Sequence, residues 1–99
     1  MHRHRGGGVI IGNCVDISDN VLISTGSHKI DTMGPHSAGS GVQKPVIIRC
    51  GVWIGMGAVL LQGIDIGEKA VVGAGAVVVS NCTSRSVYVG VPAKRFRSF

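Results

Sequence analysis

The sequence predicts an all-β chain in which very short parallel strands, joined by tight corners, coil into a narrow triangular prism. Three observations carry this. First, aliphatic residues recur every six positions: Ile11, Ile17 and Ile23, then Ile48, Ile54, Leu60, Ile66, Val72 and Val78. Second, a parallel register of small or apolar residues lies four positions after each: Val15, Val21, Ser27, Val52, Ala58, Ile64, Ala70, Ala76 and Cys82. Two inward side chains at spacing two are what one short strand supplies. Third, the 99 residues hold 15 Val, 10 Ile and 16 Gly but only 3 Leu and four aromatics. β-Branched side chains suit a pleated surface, and glycine suits the positive φ of a tight corner. A narrow prism also explains the few aromatics, because its interior has no room for them.

The elements follow in order. Residues 1–8 form a basic, glycine-rich end. Residues 9–28 form the first coil, three hexads to an eighteen-residue turn. Residues 29–45 break the repeat: Ile23 to Ile48 is 25 residues, and the segment holds Gly34, Pro35, Gly39 and Gly41 with almost no β-branched pattern. It is expected as a loop ejected from the coil, and long loops in compact domains are commonly functional. Residues 46–83 supply about two further coils, for three to four in all, about 4.8 Å apart. Residues 84–99 form a basic tail. Within it Val87–Val91 is expected to be extended and Pro92 to open a short helix, since proline is tolerated at a first helical position.

Composition excludes some classes. Mean hydropathy of +0.36 argues against intrinsic disorder. The longest apolar stretch, Ala70–Val79, has ten residues where about 20 are needed to span a bilayer. Met1–Arg5 is basic, but the glycines after it are no apolar signal region. Cys14, Cys50 and Cys82 are odd in number and show no Cys-x-x-Cys spacing, which fits a reduced, cytoplasmic protein. The net charge is +5, and Arg85, Lys94, Arg95 and Arg97 crowd the tail with no acid among them. Such a tail suits nucleic acid, a membrane surface or a phosphorylated small molecule. Apart from Phe96 and Phe99 it lacks interleaved stacking aromatics, so nucleic acid is not expected as a partner.

Three stretches resemble the hexapeptide-repeat acyltransferases: Val52-Trp53-Ile54-Gly55 with Gly63-Ile64-Asp65-Ile66-Gly67, Val72-Gly73-Ala74-Gly75-Ala76-Val77-Val78, and Gly90-Val91-Pro92-Ala93-Lys94. The resemblance covers about residues 10–97 and implies a left-handed parallel β-helix. Thr25-Gly26-Ser27-His28-Lys29-Ile30-Asp31, with Lys44-Pro45-Val46 after the loop, looks like the sugar O-acetyltransferase branch, which includes the maltose, galactoside and colanic-acid enzymes. Antibiotic acetyltransferases share the architecture and stay open. The branch's catalytic histidine falls on His28. This implies transfer of an acetyl group from acetyl-CoA, the co-substrate, to a hydroxyl of a sugar or similar small acceptor. A hydroxyl is a poor nucleophile at neutral pH, and a histidine base corrects that.

Other residues are read beside it. Asp31, three positions on, either orients the imidazole or is a solvated loop carboxylate. His36 is the rival base, outside the matched motif. Trp53 precedes an inward aliphatic and so points outward. The resemblance suggests that it meets the pantetheine arm of coenzyme A or a neighbouring subunit. Gly73, Ala74 and Gly75 would let the pantetheine approach the backbone, or simply shape a corner. Lys94 and Arg95 would meet the coenzyme's phosphates. Where the family commonly carries Thr-Lys after the Gly-Ala-Gly turn, this chain has Val79-Ser80. The resemblance further implies a homotrimer with the site between subunits. No metal is expected. The γ-class carbonic anhydrases share the fold and resemble Ile54–Val59, but they need three histidines, and His28 and His36 have no third partner in the coil. The chain starts almost directly in the coil that bears His28. A non-catalytic trimeric β-helix, serving as a binding or structural module, is therefore the alternative reading.

Overall fold

The computed structural model describes residues 8–99. The basic end expected over 1–8 lies, apart from Gly8, outside the described residues. Strands β1 (Val9–Ile11), β2 (Asp16–Ile17) and β3 (Leu22–Ile23) make the first coil. The chain then leaves as β4 (Gly26–Ile30) and β5 (Ala38–Gln43). It returns as β6 (Val46–Ile48), β7 (Trp53–Ile54) and β8 (Val59–Leu60), then β9 (Asp65–Ile66), β10 (Val71–Val72) and β11 (Val77–Val78). It closes with β12 (Ser86–Val89) and β13 (Lys94–Ser98).

These strands stack into three faces. The first is β1-β6-β9, the second β2-β7-β10-β12-β13 and the third β3-β8-β11. All pairings in the coils are parallel. In the second and third coils the register advances by eighteen residues: Ile47 opposes Asp65, Trp53 opposes Val71, and Val59 opposes Val77. Three hexads therefore make one turn, and in these coils each aliphatic of the six-residue series sits directly above the one three hexads later: Ile48 over Ile66, Ile54 over Val72 and Leu60 over Val78.

The interior is the two registers of the sequence. Val46, Ile48, Val52, Ile54, Ala58, Leu60, Ile66, Ala70 and Ala76 are wholly buried, and Ile64, Val72 and Val78 almost so. The first coil ends the stack, and its inward side chains are covered from one side only: Ile11 is 50% and Ile17 40% exposed. At the other end Cys82, Tyr88 and Ala93 close the floor. Burial raises the Cys82 thiol to about 11, so it stays protonated near neutrality.

The floor is sealed by a small polar network. The Thr83 amide donates to Tyr88 Oη at 2.8 Å, and Thr83 Oγ1 lies 3.0 Å from the same oxygen. Buried Ser86 accepts from Thr83 Oγ1 and donates to the Ser84 carbonyl, each at 3.1 Å. Tyr88→Phe deletes only the shared oxygen. It is expected to cost about 1 kcal/mol, the usual net worth of a hydrogen bond, read as a lower urea midpoint at unchanged slope.

Three expectations are corrected. The tail is not helical. After the turn at Gly90–Ala93, Lys94–Ser98 runs as β13, antiparallel to β12. The outer edge of β12 would otherwise present unpaired amides and carbonyls, and the tail satisfies them. Second, the segment expected as a loop over 29–45 is an antiparallel hairpin that begins at Gly26. Third, Ser27 fits the inward register by spacing, but it belongs to β4 and is exposed, because the chain has already left the coil.

Candidate active site

His28 sits on β4 in the hairpin that leaves the prism between the third and first faces. Gly26 opposes Gln43, Ser27 opposes Val42 and His28 opposes Gly41, with an irregularity between His28 and Ile30. The hairpin is exposed along β4; Ile30 is 82% and Met33 92% accessible. His28 Nδ1 lies 2.9 Å from the Gly39 carbonyl oxygen. A carbonyl can only accept, so Nδ1 carries the proton. In the neutral ring Nε2 then holds the free lone pair. This acceptor lies eleven residues away across the hairpin, where no sequence motif marks it.

Gly39 is required for that geometry. A Cβ there would stand 2.9 Å from the Lys29 carbonyl oxygen and 3.1 Å from Asp31 Cβ. Gly39→Ala therefore has to displace β5 against β4 and move the histidine's acceptor. A shifted His28 ring resonance in an NMR spectrum would report the displacement.

Asp31 has a different occupation. Its Oδ1 accepts from the Met33 amide at 2.9 Å and the Gly34 amide at 3.0 Å. These two bonds hold its carboxyl below the usual carboxylate range. Its own amide donates to Ser37 at 2.8 Å. Asp31 thus ties down the hairpin's turn, and the imidazole's recorded partner is Gly39. His36 lies within the same turn and is exposed.

The remaining candidates lie elsewhere on the prism. Trp53 is 55% exposed on the second face, between Asp16 and Val71. Gly73-Ala74-Gly75 forms the corner between the second and third faces, directly beneath Gly55-Met56-Gly57. The Gly55 amide donates to Val72 at 2.7 Å, and the Gly75 amide to Met56 at 2.8 Å. A Cβ on Gly55 would meet the Ala74 nitrogen at 2.7 Å, so the corner's backbone levels are in close contact. Gly57 and Gly75, at φ +73° and +70°, have open space where a Cβ would stand. The edge therefore leaves backbone open to a ligand at Gly57 and Gly75, beside the exposed side chain of Met56.

β13 sorts the basic tail. Opposed residues in a ladder share a side. Lys94 opposes outward Val89, and Arg97 opposes outward Val87, so both join the outer second face that carries Trp53. Arg95 opposes buried Tyr88 and so lies on the other side. The structure therefore brings Trp53 and Lys94 to one face, adds Arg97 and separates Arg95. Within one chain His28 leaves by a different corner from all of them. The third face presents an outward column of Leu22, Val59 and Val77, without a polar side chain. Among the described residues no three His, Cys, Asp or Glu side chains gather closely enough to hold a metal ion.

The comparisons agree with this architecture. Residues 45–80 match the family described as bacterial transferase hexapeptide (six repeats). An acetyltransferase-like protein of Schizosaccharomyces pombe is 42% identical over 89 residues, covering 90% of this chain and 42% of its own length. A maltose O-acetyltransferase from Clostridium difficile 630 superposes with a TM-score of 0.80 at 35% identity, over 92% of this chain and 48% of that one. A hexapeptide-repeat acetyltransferase from Vibrio cholerae O1 biovar eltor, solved with acetyl-coenzyme A, gives 0.72 at 29% identity, over 91% and 60%. The chain spans less than half the length of the curated relatives it matches here. With the six-residue register, the three stacked faces and these similarities together, the fold is a left-handed parallel β-helix, and residues 45–80 carry the repeat of the bacterial hexapeptide transferase family.

Proposed function

We propose that the chain transfers an acetyl group from acetyl-CoA to a hydroxyl of a sugar or similar small acceptor, with His28 as general base. The bond from His28 Nδ1 to the Gly39 carbonyl carries this reading, because it aims a basic Nε2 away from the hairpin. Nε2 takes the acceptor's proton as its oxygen attacks the thioester carbonyl. It then returns that proton to the departing sulfur, so no covalent enzyme intermediate is needed. The Gly39 carbonyl keeps the ring in one orientation through both transfers, and Asp31 supports it indirectly by fixing the turn.

Trp53, the Gly73–Gly75 edge, Lys94 and Arg97 form the coenzyme's side of the site. Trp53 and the two cations share one outer face, and β7 and β13 are three strand steps apart, about 14 Å. That suits an extended pantetheine arm with phosphates at its far end. Arg95, on the opposite side, stays an outer candidate for those phosphates. His28 and this face leave one prism in different directions, so the site is completed between copies. The apolar column Leu22–Val59–Val77 is the face we assign to trimer contact, because exposed apolar patches mark association surfaces. The three free thiols suit the reducing cytoplasm.

One observation favours the non-catalytic module instead. Val79-Ser80 stands where the resemblance leads one to expect Thr-Lys, after β11 at the corner between the third and first faces, and Val79 is 50% exposed. Melting curves with acetyl-CoA separate the two readings, since a ligand of the native state must raise the melting temperature. An upward shift that grows with acetyl-CoA, in a species sedimenting as three 10.2 kDa chains, is the expected result. A stable monomer with no shift contradicts the proposal.

A further inference from the structure

A groove of about 450 Å³ opens at the corner between the first and second faces, lined by Arg49, Gly67, Glu68, Lys69, Ser84 and Arg85. This is neither the corner that carries His28 nor the one formed by Gly73–Gly75. Three cations line it against one carboxylate. Among the described residues the one ion pair is Arg49–Asp65, at 2.7 Å. Asp65 takes one bond from Arg49 Nε and one from NH2, two of the five N–H donors a guanidinium offers. Lys69 and Arg85 carry no such partner.

The backbone points the same way. Most levels of these two corners place one residue in the left-handed region. Asn20, Gly57 and Gly75 fill that position at the corner between the second and third faces, and Cys14 and Gly51 at the two upper levels of this one. At the two levels below Gly51 it is filled by Lys69 (φ 60°) and Arg85 (φ 50°). They are stacked through the Lys69 amide to the Cys50 carbonyl and the Arg85 amide to the Glu68 carbonyl, each 2.9 Å. Glycine would relieve the strain at both positions, so these side chains are held at a conformational cost.

The two cations stand on adjacent levels, about 4.8 Å apart along the prism, with Arg49 beside them. A single phosphate would engage one level, whereas adjacent phosphoryl groups engage both. The groove's size lies within the range of small-molecule sites, about 300–1,000 Å³. We infer that this groove binds a small molecule bearing adjacent phosphoryl groups, with Lys69 and Arg85 as its main cations, Arg49 and Ser84 as further donors and Glu68 bounding one wall. It is a second site, independent of acyl transfer.

Calorimetric titration of the full chain with inorganic pyrophosphate at low ionic strength tests this. One pyrophosphate per chain is expected. The double substitution Lys69→Gly, Arg85→Gly should weaken it at least about tenfold, as lost charge-assisted hydrogen bonds imply. Because glycine is preferred at both φ values, the melting temperature should hold or rise. Arg85→Lys should retain most of the binding. Should the glycine variant fail to fold, Lys69→Gln with Arg85→Gln reads the same loss of charge. The inference is overturned if the wild-type chain does not bind pyrophosphate, or if the neutral variants bind it equally. Stoichiometric displacement by acetyl-CoA would overturn it too, by placing the anion in the coenzyme's site. So would binding of a single-stranded oligonucleotide without any binding of pyrophosphate.

Discussion

His28→Ala is expected to lower the proposed acetyl transfer by about 10²–10⁴-fold, the usual worth of a positioned general base, while acetyl-CoA binding and the melting temperature stay as they were. The reasoning is local. His28 is exposed on a hairpin outside the prism, so its loss opens no cavity. Its one recorded side-chain bond goes to the Gly39 carbonyl, which water can satisfy on an exposed strand. The coenzyme's proposed contacts lie on the second face and its adjoining corner, which the substitution does not touch. Release of free thiol from acetyl-CoA measures the rate, and the thermal shift with acetyl-CoA measures the binding. Turnover retained in His28→Ala would remove the base assignment and move attention to His36.

Ile54→Ala unfolds the chain more readily than any surface change, with an expected loss of about 2–5 kcal/mol. Ile54 has no accessible surface, and it lies between Ile17 above and Val72 below in a stack of identical spacing. A rigid ladder on each face prevents the coils from collapsing into the hole, so transfer and cavity costs both apply. A domain's whole stability is about 5–15 kcal/mol, so this is a large fraction of it. Ile11→Ala makes the control. It occupies the same place in the repeat, but on the end coil at 50% exposure, and should cost less than half as much. Urea denaturation of both variants at one protein concentration checks the contrast. Equal losses would mean that the end coil is as deeply covered as the middle one.

The coils were legible because one physical constraint repeats. Each strand has two inward positions and each corner a tight turn, so Ile48, Ile54, Leu60, Ile66, Val72 and Val78 announce the register without any long-range information. Spacing misleads where the chain leaves the coil, as at Ser27, whose neighbours rather than its residue type decide its environment. Pro92 by itself points to a short helix in the tail, yet the unpaired edge of β12 decides its fate. That edge is a property of the stacked prism, which no local window of sequence contains.

The site divides in the same way. His28 was found through its motif, but its partner Gly39 depends on how β4 and β5 pair. Asp31 at three residues' distance fits an orienting carboxylate equally well on paper. In the hairpin two amides of its own turn claim it. Arg97 joins the face of Trp53 only because β13 runs antiparallel, so nothing in the sequence set it above Arg95. The stacked Lys69 and Arg85 are sixteen residues apart, a separation that departs from the eighteen of the coils above, and only the structure puts them on one corner.

The central claim is that this prism carries out acyl transfer rather than serving as a silent scaffold. The most direct measurement is acceptor-dependent release of thiol from acetyl-CoA by the wild-type chain across a panel of sugars. Release above the acceptor-free rate is expected with at least one hydroxyl acceptor, and none of that increment in His28→Ala. Saturable binding of acetyl-CoA with no acceptor-dependent release from any sugar would contradict it.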